Sequence, residues 1–165
     1  MTVFLGQISK VVKKAKHTEA TLVSEAAIAY QMPLRIEYNS RTNSEMDILK
    51  LIKKGIPKKS LDNTMQMMGF TLDQMAAVLH VSERTLRRYV PSDSLNIEQS
   101  ERIVELNNLY QYGSEVFGSI DAFKIWIDSP VLALGQQAPK QFLDTSYGIL
   151  MLKNILGRIE RGVYS

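Results

Sequence analysis

Cysteine is absent from the 165 residues. That excludes disulfides, thiolate nucleophiles and cysteine-ligated zinc together. Histidine occurs only at His17 and His80, far apart in the chain and without a carboxylate cluster beside either, so neither a metal site nor a Ser–His catalytic pair is indicated. No apolar run approaches the roughly 20 residues that a membrane-spanning helix needs. The N-terminus lacks the basic, apolar, small-residue order of an export signal. These gaps predict a soluble, cytoplasmic protein that is not an enzyme, has no cofactor and does not engage a membrane.

What is present is the balance of an ordinary globular chain, 45% apolar and 22% charged, in a length that suits one domain or two very small ones. The net charge of +3 is unevenly spread. Residues 1–60 carry eleven lysines and arginines against five acidic residues, whereas residues 61–165 carry nine against twelve. A basic N-terminal stretch on a near-neutral remainder suits either a polyanion contact or a solvated face.

Residues 3–16 and 19–31 have the loose apolar spacing of two short amphipathic helices. The stretch from Met32 to Ser44, with its proline, asparagines and arginines, reads as a linker or extended arm. After residue 44 there is no sustained period-two alternation, and almost everything reads as helix. Gly55 closes one helix and Pro57 opens the next, which ends at Met68-Gly69. Thr71 and Gln74 then form a T-x-x-Q capping box, flanked by Phe70 and Met75 as a hydrophobic staple. Ser82 is an N-cap, Pro91 stops the helix that it begins, and Asn96 with Gln99 caps a long helix. That helix carries Ile103, Leu106, Leu109, Tyr110, Gly113, Val116 and Phe117 on one side.

The segment TLDQMAAVLHVSERTLRRYV, Thr71 to Val90, has the spacing of a helix-turn-helix. Met75, Leu79, Val81, Leu86 and Tyr89 fall where two crossed helices bury side chains, and Ala76 is small where they approach closest. Ser82, Glu83, Arg84, Thr85, Arg87 and Arg88 are left facing outward on the short second helix. Such a helix fits the major groove of DNA. Arginine there forks onto guanine, and serine or threonine bonds base or phosphate. Ser82, Arg84, Thr85, Arg87 and Arg88 are therefore the candidate DNA-binding residues. The corner, usually glycine because the backbone takes positive φ, is His80, read as a turn residue without chemistry.

Downstream come Trp126, Pro130, Leu134-Gly135, Pro139, Leu143-Asp144-Thr145, Gly148, Ile159-Glu160 and Gly162-Val163. In this order and spacing, after Gly55-Ile56-Pro57 and Ser82-Glu83-Arg84-Thr85-Leu86, they resemble the Xre/MbcA/ParS antitoxins over residues 48–165. The sequence departs from that family at Gln136, where a second glycine is frequent. The resemblance implies an all-α protein with a basic variable segment (1–43), an Xre-like helix-turn-helix domain (44–112) and a C-terminal toxin-binding domain (113–165). It further implies the antitoxin of a type II toxin–antitoxin pair, whose partner carries a NAD-depleting RES domain similar to ADP-ribosyltransferases. The antitoxin would occupy the toxin's active site and repress its own operon at operator DNA. Helix-turn-helix proteins read paired half-sites, so a homodimer inside a larger toxin–antitoxin complex is expected. The alternative is a stand-alone dimeric helix-turn-helix transcriptional regulator.

In the final helix, expected from Tyr147 to Arg161, Ile149, Leu150, Leu152, Ile155, Leu156 and Ile159 form an apolar set wide enough for a core and a partner. A NAD-using pocket accepts an anionic pyrophosphate and flat rings. Arg158, Glu160, Arg161, Tyr164 and Ser165 are therefore the candidate toxin-binding residues, supplying arginines, an aromatic ring and a terminal carboxylate. Trp126 reads as core, as do the eight methionines, Met65, Met67, Met68 and Met75 among them. Asp121, Asp128 and Asp144 are assigned to caps and turns.

Overall fold

The computed structural model describes residues 44–163. The two N-terminal amphipathic stretches, the linker up to Asn43, and Tyr164 and Ser165 all lie outside the described residues. The described chain is all-α: α1 (Glu45–Lys54), α2 (Lys58–Met68), α3 (Leu72–Val78), α4 (Glu83–Arg88), α5 (Ile97–Phe117), α6 (Ile120–Asp128) and α7 (Ser146–Glu160). Two single 3-10 turns, Leu132–Leu134 and Pro139–Phe142, join α6 to α7. A helix-turn-helix unit is followed by a smaller helical unit, and α5 serves both. It packs against α1 and α2 on one side of the boundary and against α6 and α7 on the other.

The punctuation is local chemistry. Thr71 accepts the Gln74 backbone N–H while Gln74 Oε1 accepts the Thr71 N–H, and Asn96 and Gln99 do the same for α5. Each box satisfies two of the amide donors that a helix start leaves unpaired. Gly69 closes α2 at φ 71°. The N–H of Gly69 donates to Gln66 O and that of Phe70 to Met65 O, a Schellman closure. Phe70 and Met75, flanking the Thr71 cap, are both buried.

The core is continuous along α5, where Ile103, Leu106, Leu109 and Tyr110 are fully buried. Around its C-terminal half an aromatic cluster forms. Tyr110 meets the Phe123 ring edge-on at 5.0 Å, and Trp126 stacks on Phe123 at 5.7 Å and lies 5.5 Å from Phe117. Trp126 is thus a core residue. Gly113 lets α6 approach here, since a Cβ on it would stand 2.3 Å from the Phe123 ring.

Two expectations need correction. Asp128 is no cap: its carboxylate pairs with Lys140 Nζ at 3.1 Å, and the same ammonium lies 4.9 Å over the Phe70 ring. The pair ties the end of α6 to the second 3-10 turn, a contact that depends on tertiary approach and leaves no local signal. The methionines also divide. Met68 and Met75 are buried and Met65 and Met67 half-buried, but Met46 is exposed on the outer face of α1.

Candidate functional site

The second helix of the helix-turn-helix, α4, is only six residues long and has one buried side chain, Leu86. Such a short helix holds its direction through its neighbours and its cap, because propensity alone cannot sustain it. Ser82 supplies the cap. Its Oγ accepts the Thr85 N–H at 3.1 Å and lies 2.9 Å from Thr85 Oγ1. Leu86 belongs to the same buried core as Met75, Ala76 and Leu79 of the preceding helix and turn. Val81 and Tyr89 are half-buried at the rim.

With Leu86 inward, Arg84, Arg87 and Arg88 are exposed, Ser82 is exposed and Thr85 is half-buried. Arg87 Nη2 pairs with Glu83 Oε2 at 3.0 Å. An exposed pair of this spacing is worth only about 0.3–0.5 kcal/mol, so it restrains Arg87 weakly. Arg84 and Arg88 have no carboxylate within salt-bridge distance among the described residues. The helix therefore presents three guanidinium groups on one short element, with Ser82 and Thr85 at its start partly committed to each other.

The corner is His80, at φ 54°. Its left-handed backbone is the one that a glycine usually supplies, and histidine is among the residues that tolerate it. His80 is a turn residue as expected, and its ring adds a structural contact: Nε2 lies 2.8 Å from the carbonyl oxygen of Asp144. A carbonyl only accepts, so Nε2 carries the proton. The bond links the turn before α4 to the segment that caps α7. Ser146 Oγ, two residues on, donates to Glu105 Oε2 on α5 at 3.0 Å. A cleft of about 280 Å³ beside His80 is faced by Glu98, Glu101 and Glu105.

At the other end, α7 is capped by Thr145, whose Oγ1 accepts the Gly148 N–H at 3.0 Å. Gly148 is there for closeness, since a Cβ on it would stand 2.0 Å from the carbonyl oxygen of Phe142. Gln136, in the place of the family's glycine, adopts φ 66° right after Gly135 at φ 64°. The turn keeps the glycine-type backbone without the glycine. α7 begins and ends one residue earlier than the sequence reading has it. Its last turn is closed by Gly162 N–H to Ile159 O at 3.0 Å and Val163 N–H to Arg158 O at 2.9 Å. That is a second Schellman closure, with Gly162 at φ 72°.

The structure separates the candidate toxin-binding side chains. Arg158 and Arg161 are exposed and share one face of α7 with Tyr147, Leu150 and Asn154, at three- and four-residue steps. Glu160 lies off that stripe and accepts a hydrogen bond from the Tyr112 hydroxyl of α5 at 2.8 Å. Partial burial, and then this bond, raise the Tyr112 phenol above its ordinary pKa. Tyr112 is a partner that sequence reasoning missed, because nothing local connects residues 48 positions apart.

The helix-turn-helix model for Xre-like antitoxins matches residues 47–108, and the Xre/MbcA/ParS C-terminal toxin-binding domain model matches residues 113–162. The chain is 26% identical to the Antitoxin Xre of Photorhabdus laumondii subsp. laumondii, over 70% of this chain and 79% of that protein. It is 27% identical to the Antitoxin Xre of Yersinia enterocolitica, over 69% of this chain and 78% of that one. Among solved structures, it is similar to a chain of the M. tuberculosis MbcT-MbcA toxin-antitoxin complex, at 18% identity and a TM-score of 0.48, over 66% of this chain and 96% of that chain. The two matched domains follow one another along a fold that α5 makes continuous, and the chain belongs to the Xre/MbcA/ParS family of antitoxins.

Proposed function

We propose that this antitoxin neutralises a RES-type, NAD-degrading toxin through its C-terminal unit and represses its own operon through α4. Residues 44–112 form the DNA-binding domain in this reading, residues 113–165 the toxin-binding domain, and residues 1–43 a basic variable segment. The observation that carries it is the pairing, in one chain, of an arginine-bearing recognition helix with a matched toxin-binding domain. Arg84, Arg87 and Arg88 act on base edges and phosphates, with Ser82 and Thr85 at the start of the helix. Two copies bind one operator, each giving its α4 to a half-site. Arg158, Glu160, Arg161, Tyr164 and Ser165 form the toxin-side set, Arg158 and Arg161 on one face of α7 and Glu160 at its edge, bonded to Tyr112. The chain itself has no catalytic task in this account and works in the cytoplasm beside its operon.

Isolation of a stable complex with the protein encoded next to this chain, and its identification as a RES-domain enzyme, tests the toxin half. For the DNA half, replacing Arg84 and Arg87 together with alanine leaves the melting temperature within about 1–2 °C of the original, because both side chains are exposed. A specific arginine–base bond is worth about 1–3 kcal/mol, so operator affinity falls at least about tenfold, and any phosphate bond removed with it flattens the salt dependence. Gel shifts across a salt series on the DNA upstream of the operon read both. Unchanged affinity and slope would remove α4 from the interface.

A further inference from the structure

Along α7 the buried residues are Gly148, Ile149, Leu152, Ile155 and Leu156. They face α5 and the 3-10 turn before the helix. The opposite side should be polar if α7 served only the fold. Instead Tyr147 is 79% exposed and Leu150 54%. Half-buried Met151 stands beside them. One helical turn on, Asn154 is exposed, and Arg158 and Arg161 complete the same face. The stripe runs over 14 residue steps, about 21 Å at the rise of an α-helix. It is apolar at the N-terminal end and cationic at the other. Glu160, the acidic residue of the last turn, lies off the stripe, where it is bonded to Tyr112. Arg158 and Arg161 have no carboxylate within salt-bridge distance among the described residues.

We propose that this face, with Tyr147 and Leu150 as apolar anchors and Arg158 and Arg161 as the charged end, is where the toxin docks, through an apolar groove edged by carboxylates. The inference rests on the toxin-binding reading above and says which surface performs it. The stripe lies wholly within the residues matched to the toxin-binding domain, so a partner for this unit is already given and the structure supplies the face. Its spacing at i, i+3, i+7 and i+11 is that of a helix laid into a groove. Tyrosine and arginine are the side chains most enriched where interfaces hold their binding energy. The charge order sets polarity as well: the toxin's carboxylates meet the C-terminal end of α7, and reversing the helix would leave the arginines over the apolar floor.

The test uses the full-length chain and the toxin isolated as its partner in the experiment above, with binding followed by titration calorimetry. Tyr147→Ala and Leu150→Asp should each weaken binding about tenfold or more, and Arg158→Glu should weaken it while making it less sensitive to salt. All three should keep the original melting temperature and operator affinity. Ile97→Asp, equally exposed but outside residues 113–162, should bind the toxin as the original chain does. If the original chain binds and Tyr147→Ala and Leu150→Asp bind equally well, the docking face is wrong while the antitoxin reading stands. If the original chain does not bind, the reading itself fails and the face with it. A lowered melting temperature or an altered mass of the Leu150→Asp chain alone would show that another copy, or another part of the chain, already covers the face. That outcome also overturns the proposal.

Discussion

Replacing Leu86 with aspartate should abolish the helix-turn-helix. Leu86 is 1% exposed and is the single buried residue of α4, so no other side chain of that helix can take over its anchorage. Removing the leucine forfeits about 1.5–3 kcal/mol of burial. A carboxylate in its place has no cation among the surrounding Met75, Ala76 and Leu79, and an unpaired buried charge is among the few causes of losses above about 4 kcal/mol. The expected result is a chain that has lost operator binding and most of its cooperative thermal transition. Leu86→Met, which keeps volume and polarity, should cost less than about 1.5 kcal/mol. Equal melting temperatures for the aspartate variant and the original would mean that α4 is docked by another face, and that the arginines point elsewhere.

The second large effect is expected at Gly148, where alanine should destabilise α7. The added carbon would lie 2.0 Å from the carbonyl oxygen of Phe142 and 2.9 Å from Oγ1 of Thr145. Neither neighbour is a loose side-chain end: one is backbone in a 3-10 turn and the other is the N-cap of the helix. Overpacking against such neighbours costs about 3 kcal/mol, at the upper end of the usual range. Alanine recovers about 1 kcal/mol of helix propensity, and the balance is a loss of about 2 kcal/mol. Gly157→Ala on the same helix is the control. Its nearest neighbour would be the Tyr112 hydroxyl at 3.3 Å, a side-chain tip, so the propensity gain should leave stability within about 1 kcal/mol of the original. Thermal melts of both variants check the pair, and a Gly148→Ala chain as stable as the original would contradict the packing described.

The contrast between these two glycines shows what could be read from the sequence. The order Leu143-Asp144-Thr145 followed by Gly148 marks a motif, and the capping boxes at Thr71 and Asn96 mark helix starts, because each is written within six residues. Leu86 as the anchor of α4 and Trp126 as core follow from helical spacing and apolar neighbours in the same way. The contacts made across the packed fold do not. His80 to Asp144 spans 64 positions, Tyr112 to Glu160 spans 48, and Lys140 reaches back to Asp128. Such pairs exist only once helices have packed, and single-residue chemistry does not announce them. For the same reason Arg158, Glu160 and Arg161 look like one cluster in sequence, whereas a helix turns each residue by about 100° and puts the glutamate on another side.

The central claim is that this chain stops a RES-type enzyme from consuming NAD, and cellular NAD content reads it most directly. Cells would produce the RES-domain protein alone, with the full-length chain, or with a chain lacking Tyr164 and Ser165, which retains the Schellman closure at Gly162 and Val163. The account predicts a collapse of NAD with the toxin alone, protection by the full-length chain, and weaker protection by the shortened chain at equal protein level. NAD that falls as far with the full-length chain as without it, at matched toxin level, would contradict the account.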